Sequence, residues 1–324
     1  HEEGHHFPKN YIIAFNWYRL AAEQEYTQGK IGIYQIAKKG VAPALKILTA
    51  DAEQGVAEAQ FFLGVMYKEG QGVSLDYNEA LKWYRLAAKQ GYGAGKANIY
   101  RLAKYDTSQA LKILTSDAEQ GVAEAQVMLG KMHEEGHHFP KNYIIAFNWY
   151  KRAATQGNVP GKLHLYKIAK KGVPKALKIL IDDARRGVAQ AQFHLGFMYK
   201  NGHQFPLHND EAFRWYQLSA NQGYVHAQLH LGQMYEKGEA VPQNYDEAVR
   251  RYRFGAEIGI GEAQFRLGLM YYKGQGVPQD YVLADMWFIL SSIRKIKEAT
   301  KYRSLVENKM SPQQIEKAQL MARN

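Results

Sequence analysis

The chain has no cysteine. That excludes a disulfide framework, a cysteine zinc site, an iron–sulfur cluster and a thiol nucleophile. It does not fix a compartment, because a protein without thiols is stable in any redox setting. Long apolar runs are also missing. The runs present are short, as in Trp287-Phe-Ile-Leu290, far below the roughly 20 residues a membrane helix needs. Charge is not of one sign: 42 Lys and Arg stand against 31 Asp and Glu, a formal net charge of +11. Apolar residues at 46% and charged residues at 23% are ordinary globular values and exclude wholesale disorder.

What is there is repetition. The 324 residues would suggest about two domains by length, but internal repeats take precedence over length. His1 to Tyr18 reads HEEGHHFPKNYIIAFNWY, and His133 to Tyr150 repeats all eighteen letters. Leu-Gly recurs at 63–64, 129–130, 195–196, 231–232 and 267–268, and Trp17, Trp83, Trp149 and Trp215 step by 66. An alanine ladder resolves the period: Ala14, Ala44, Ala80, Ala110, Ala146, Ala176, Ala212, Ala248 and Ala284, at intervals of 30, 36, 30, 36, 30, 36, 36 and 36. About nine units follow, in which a long form alternates with a short form and then takes over. His1 falls inside the pattern, so we expect a preceding helix resembling Ala125 to Met132, with its own Leu-Gly pair, and a signal peptide could stand further upstream.

A long unit at 57–91 reads AEAQFFLGVMYKEGQGVSLDYNEALKWYRLAAKQG. Ala59, Phe62, Leu63, Met66 and Tyr67 have helical spacing. Gly70 and Gly72 stop that helix. Asp76 suits an N-cap, with Glu79 as the reciprocal box partner. Leu81, Tyr84, Leu86, Ala87 and Ala88 carry the second helix, with Trp83 beside them. Each unit is thus an antiparallel pair, helix A then helix B. The short unit is the same pair with six residues removed from the connection, since Tyr67 to Ala80 spans thirteen positions and Ala37 to Ala44 seven. A single pair cannot bury its apolar face, whereas stacked pairs can. The Trp and Tyr stripe is read as core, and the fold class as all-α, an α-solenoid of alternating 36- and 30-residue units.

The string Ala-x-x-x-Leu-Gly-x-x-Tyr-x-x-Gly-x-Gly-Val, followed by Asp-Tyr-x-x-Ala-x-x-Trp-Tyr-x-x-Ala-Ala-x-x-Gly, resembles the Sel-one-like repeat (SLR) family, a relative of the tetratricopeptide repeat. It is nearly intact at 59–91 and returns at 263–287 with Gly274, Gly276, Val277, Pro278, Asp280, Tyr281, Ala284 and Trp287. The resemblance covers 1–290, about nine units with the first truncated, and 291–324 reads as C-terminal capping helices. There Ser311 can cap, Pro312 suits the first helical position and Gln314 can complete a capping box. The short units depart by placing Tyr34, Tyr100 and Tyr166 where long units have Gly64 and its equivalents, and Arg251 stands at a tryptophan position. The resemblance implies scaffolds and adaptors that hold other proteins, in endoplasmic-reticulum quality control, in bacterial envelope assembly and in host interaction by bacterial proteins.

Catalytic patterns are weak. His1-Glu-Glu-Gly-His5 and its copy at 133–137 fit the H-E-x-x-H zinc pattern, which needs both histidines on one helix and a third ligand. His133 aligns with Tyr67 and Gly136 with Gly70, so the helix should end before His137. His226 and His230 are spaced i, i+4, with His194 at 36 residues before His230. These read as polar or partner-facing positions. Gly91-Tyr-Gly-Ala-Gly-Lys96 lacks a preceding strand, a first Gly and a Ser or Thr after the lysine, and is not a phosphate loop. We assign no catalytic residue, no metal site and no cofactor.

The family resemblance places helix A on the concave wall. Residues of helix A turned away from helix B are then candidates for partner contact: Lys38; Phe61, Val65 and Lys68; Arg101 and Lys104; Lys131; Lys167 and Lys170; Phe193, Phe197 and Lys200; Leu229 and Gln233. The basic members from the short units recur at 66-residue spacing, Lys38 with Lys104 and Lys170, and Arg101 with Lys167. The sequence thus reads as a non-catalytic scaffold or adaptor, not an enzyme, that binds a protein or peptide of acidic character in its groove. The rival readings are a metal-dependent or other enzyme using the His-rich turns, and a binder of anionic lipid or nucleic acid through the basic face. Nucleic acid is the weaker partner, because Glu58, Glu69, Glu124, Glu134 and Glu135 dilute the charge. Arg294 to Lys297 with Lys301 and Arg303 offers peripheral contact to an anionic membrane. A soluble protein is expected, and the sequence leaves the compartment open, export or secretion included.

Overall fold

The computed structural model describes residues 10–24, 26–105 and 108–323. Among these the chain is all-helical, with no strand. It divides into two compact units, 1–164 and 165–324. In the first lie α1 (Tyr11–Glu23), α2 (Thr27–Ala37), α3 (Ala42–Glu53), α4 (Ala57–Glu69), α5 (Tyr77–Lys89), α6 (Gly93–Leu102), α7 (Ser108–Glu119), α8 (Ala123–Glu135) and α9 (Tyr143–Thr155). Helix α10 (Val159–Ala169) leads into the second. There follow α11 (Pro174–Arg185), α12 (Ala189–Asn201), α13 (Asn209–Asn221), α14 (Val225–Lys237), α15 (Tyr245–Glu257), α16 (Gly261–Lys273), α17 (Tyr281–Ile293), α18 (Lys297–Glu307) and α19 (Pro312–Met321). None of the described helices is long and apolar enough to cross a membrane.

Local chemistry sets the helix ends. Gly70 and Gly136 adopt left-handed φ of 64° and 85° and close α4 and α8, a conformation that costs a residue with Cβ. Asp76 accepts from the backbone N–H groups of Asn78 and Glu79 and opens α5. The expected reciprocal box is not made there, because the Glu79 carboxylate accepts from Lys82 instead. At α19 the box is complete: Ser311 caps, Pro312 takes the first turn and Gln314 reaches back.

The alanine ladder is the packing device. Ala14 is buried, and every later member, from Ala44 to Ala284, is wholly so. A second device pairs a ring with a small residue. In long units the ring comes from helix B and lies over the helix-A glycine. A Cβ on Gly130 would sit 2.6 Å from the Tyr150 ring, so only glycine allows that approach. In short units the exchange is inverted. Tyr34, Tyr100 and Tyr166 supply the ring from helix A, and Leu48, Leu114 and Leu180 stand where the helix-B tyrosine would be, all of them buried. The same volume is filled from the opposite helix, so the shortened connection leaves the hairpin core intact.

Neighbouring pairs are joined by a glutamine ladder. Buried Gln60, Gln126, Gln192, Gln228 and Gln264 each donate to the carbonyl eight residues earlier, at 2.9–3.2 Å. Gln90, Gln156 and Gln222 donate in turn to the carbonyl oxygens of Gln60, Gln126 and Gln192. Ile258 breaks the series, and Arg251 takes over, donating to Gln228 at 2.9 Å. That is the physical role of the arginine at a tryptophan position. Of the tryptophan stripe, Trp83 is buried against Ala44, Leu48 and Leu63, and Trp149 packs on the core formed by Leu114, Leu129 and Met132. Trp17 departs from the core reading, for it is 65% exposed.

Candidate binding face

Helix A of each pair presents the positions expected to meet a partner. In the first unit these are Lys38 after α2, Phe61, Val65 and Lys68 on α4, Arg101 and Lys104 around α6, and Lys131 on α8. In the second they are Lys167 and Lys170, Phe193, Phe197 and Lys200 on α12, and Leu229 and Gln233 on α14. The two sets are described separately.

The expectation that the apolar members turn away from helix B is corrected for Leu229, Phe61 and Phe193. Leu229 is buried in the core cluster of Ala248, Tyr252 and Leu267, and Val65 is half-buried. Phe61 is half-buried, with its ring 5.9 Å from Tyr84 of helix B and 5.3 Å from Tyr92. Phe193 is in the same situation, 5.7 Å from Tyr216 and 5.3 Å from Tyr224. These rings do face helix B, and are half-buried there. The reason is geometric: a large ring three residues before a helix-A glycine, about one turn, packs against the tyrosine that lies over that glycine.

The charge is also more tempered than a row of lysines implies. Lys38 lies 3.3 Å from Glu69, and Lys68 lies 3.6 Å from the same carboxylate. Lys104 pairs with Glu135 at 2.8 Å and Lys200 with Glu239 at 2.5 Å. Lys170 sits 3.8 Å over the Phe197 ring, a cation–π contact, and its pKa is lowered by burial and by Lys167 and Lys171. Arg101 and Lys167 are exposed. Beside Arg101 a cavity of about 400 Å³ opens between α6 and α8, lined by Lys96, Ala97, Tyr100, Val122, Glu124 and Met128.

The histidines serve packing. The helix carrying His133 ends at Glu135 and turns at Gly136, so His133 and His137 do not share a helical face. His133 stacks on Phe139 at 4.3 Å, and burial lowers its pKa. The copy at 1–5 lies outside the described residues. His194 is 6% exposed, and burial, then Lys170, Lys167 and His226, depress its pKa to about 3. His230 stacks on Tyr216 at 5.1 Å and falls to about 4, mainly by burial. Among the described residues no three His, Asp or Glu side chains gather as metal ligands.

Sequence reading missed a set of buried phenol–carboxylate bonds. Tyr34, Tyr100 and Tyr166 donate to Asp51, Asp117 and Asp183, seventeen residues on, at 2.5–2.7 Å. Tyr150 donates to Glu134 at 2.6 Å and Tyr252 to Glu236 at 2.5 Å. The signal was present as a Tyr-to-Asp interval of 17 in every short unit.

Stacked antiparallel hairpins with glycine-accommodated rings define an α-helical repeat protein. The Sel1 repeat model matches residues 1–26, 57–92, 123–158, 189–224, 225–258 and 261–292, together more than half the chain, and the chain belongs to the Sel1 repeat family. The short units at 27–56, 93–122 and 159–188 fall between these matches. A crystal structure of a Sel1 repeat protein from Oxalobacter formigenes is similar in fold, at 24% identity and a TM-score of 0.52 over 90% of each chain. A chitin synthase regulatory factor of Schizosaccharomyces pombe is 36% identical over 91 residues, which cover 26% of this chain and 10% of that protein. An uncharacterised protein of Neisseria meningitidis is 28% identical over 188 residues, 56% of this chain and 37% of its own length. The chain therefore spans well under half the length of these curated relatives.

Proposed function

We propose that this chain is a non-catalytic adaptor that binds an acidic protein segment on its helix-A face, with the first unit carrying a principal part of the contact. The observation that supports this reading most is the exposed Arg101 at the rim of the 400 Å³ cavity lined by Tyr100, Val122 and Met128. A guanidinium beside an apolar recess suits a peptide that alternates carboxylates with apolar side chains. The family setting agrees, since a matched relative is named a chitin synthase regulatory factor. Host interaction by a bacterial protein is a further setting in keeping with the family.

The test is charge reversal. Arg101→Glu should slow association with acidic peptides and reduce its salt sensitivity, whereas Lys112→Glu on the exposed surface of α7 should change little. Equal binding by both variants would remove the assignment to the helix-A face. Stronger binding to heparin or to phosphatidylserine vesicles than to any acidic peptide would favour the anionic-surface reading instead.

A further inference from the structure

The long repeats contain a position that specifies its own occupant. The helix-B ring lies over the helix-A glycine, and Tyr150 and Tyr252 donate to the residue four positions beyond that glycine. That residue is Glu134 for Tyr150 and Glu236 for Tyr252, and both carboxylates accept the phenol. Where the ring is Phe288, with no hydroxyl, the residue is Tyr272. Two tyrosines break the rule. At the same offset from Gly64 and Gly196 stand Lys68 and Lys200, which only donate and so cannot accept the phenol's proton. The hydroxyls of Tyr84 and Tyr216 are buried and make no hydrogen bond, a costly condition for a donor.

The two orphans are not equivalent. Lys200 is held by Glu239 and donates to Asn209 at 3.1 Å, and the position seventeen residues beyond Tyr216 is the neutral Gln233. Seventeen residues beyond Tyr84 stands Arg101. Burial first, then Glu69, push the Tyr84 phenol up, and the Arg101 charge acts against them. Around this site Lys38 and Lys68 are both held by Glu69, and Glu58 and Glu124 lie near Tyr92 and Arg101, so the exposed cation is Arg101. Tyr84 is fully buried, and the rings of Phe61 and Tyr92 form a shelf beside it.

We propose that Tyr84, Lys68 and Arg101 form a receptor site for a carboxylate, the Asp or Glu side chain of a bound peptide, which takes the place that Glu134 holds beneath Tyr150. This rests on the acidic-segment reading above and locates one of its contacts. The incoming carboxylate accepts from the Tyr84 hydroxyl and is neutralised by Arg101 and Lys68. Entry goes with rotation of Lys68, whose side chain is 22% exposed. The ligand thus completes the repeat with the group that its neighbour carries internally.

The test uses a fluorescein-labelled, amidated hexaglutamate peptide, with hexaglutamine as control, titrated into the whole chain at low salt. Wild type should bind hexaglutamate. Tyr84→Phe should weaken it about tenfold, Tyr216→Phe should leave it unchanged, and Lys68→Glu should abolish it while raising thermal stability. The last pairing cannot come from a folding defect, because a self-satisfied repeat is firmer and still unable to bind. Equal affinity of wild type, Tyr84→Phe and Lys68→Glu for hexaglutamate would overturn the carboxylate site while leaving acidic-peptide binding standing. Failure of wild type to prefer hexaglutamate over hexaglutamine would overturn both.

Discussion

Replacing tyrosine by phenylalanine at two equivalent positions should have opposite consequences. Tyr150 and Tyr84 are both wholly buried, both lie over a helix-A glycine, and both belong to long repeats. Tyr150 donates to Glu134 at 2.6 Å, a charge-assisted bond of the strong kind. Losing a hydrogen bond to a charged group costs about 1.5–3 kcal/mol. Glu134 is partly open to water, its side chain 21% exposed with His164 at 3.8 Å, so the lower end applies, about 1–2 kcal/mol. Tyr84 has no acceptor. Tyr84→Phe removes a desolvated donor and should be neutral or stabilising by up to about 1 kcal/mol. Because repeat arrays need not unfold in one step, the measure is hydrogen exchange helix by helix. Tyr150→Phe should speed exchange in α8 and α9, and Tyr84→Phe should leave α4 and α5 as slow as before or slower. Equal losses at the two sites would refute the reasoning, for they would mean that the Tyr84 phenol has a partner.

Three further outcomes are expected. Gly130→Ala places a Cβ 2.6 Å from the Tyr150 ring, and the overpacking should outweigh the roughly 1 kcal/mol of helix propensity gained, lowering the melting temperature; an increase would contradict the close approach. His194 has a folded pKa depressed to about 3 by burial first, below its unfolded value near 6.5, so its contribution is complete above pH 6.5 and is lost as pH falls from there toward 3; His194→Gln should flatten that acid sensitivity in the exchange of α12, and an unchanged profile would count against it. Asp285 moves the other way: wholly buried, with Arg303 at 3.4 Å, it is pushed up to about 6 by burial, against Arg303. Its ionisation therefore costs stability as pH rises through about 4 to 6, and Asp285→Asn should stabilise α17 and α18 by about 1–2 kcal/mol at pH 7.5 but not at pH 4. A destabilised Asp285→Asn at pH 7.5 would show that the Arg303 contact outweighs the burial.

The fold was legible because its signals are local and repeated. The alanine ladder announced every hairpin, and the glycine punctuation placed the ends of α4 and α8. Ser311, Pro312 and Gln314 announced the last helix. Less was legible at the face. The spacing put Phe61 and Phe193 on the side of helix A away from helix B, yet each ring bends back over a helix-B tyrosine, because the glycine beneath that tyrosine draws the two backbones together. Leu229 was lost to the core for the same reason. Glu79 read as a box partner, but Lys82 one turn on offered its carboxylate a full charge. The phenol–carboxylate pairs went unread because they join different helices, and their donor switches from helix B in long units to helix A in short ones. Only the packing shows which helix gives the ring, and only then does Lys68 stand out as a lysine where a carboxylate belongs.

The central claim is that an acidic segment is held on the helix-A face. Hydrogen exchange of the whole chain with and without saturating hexaglutamate tests it most directly within the first unit. The account predicts slowed exchange in α4 and α6, extending into α5 around Tyr84, with α7 unaffected. Protection confined to α5 and α7, with α4 and α6 unchanged, would contradict it.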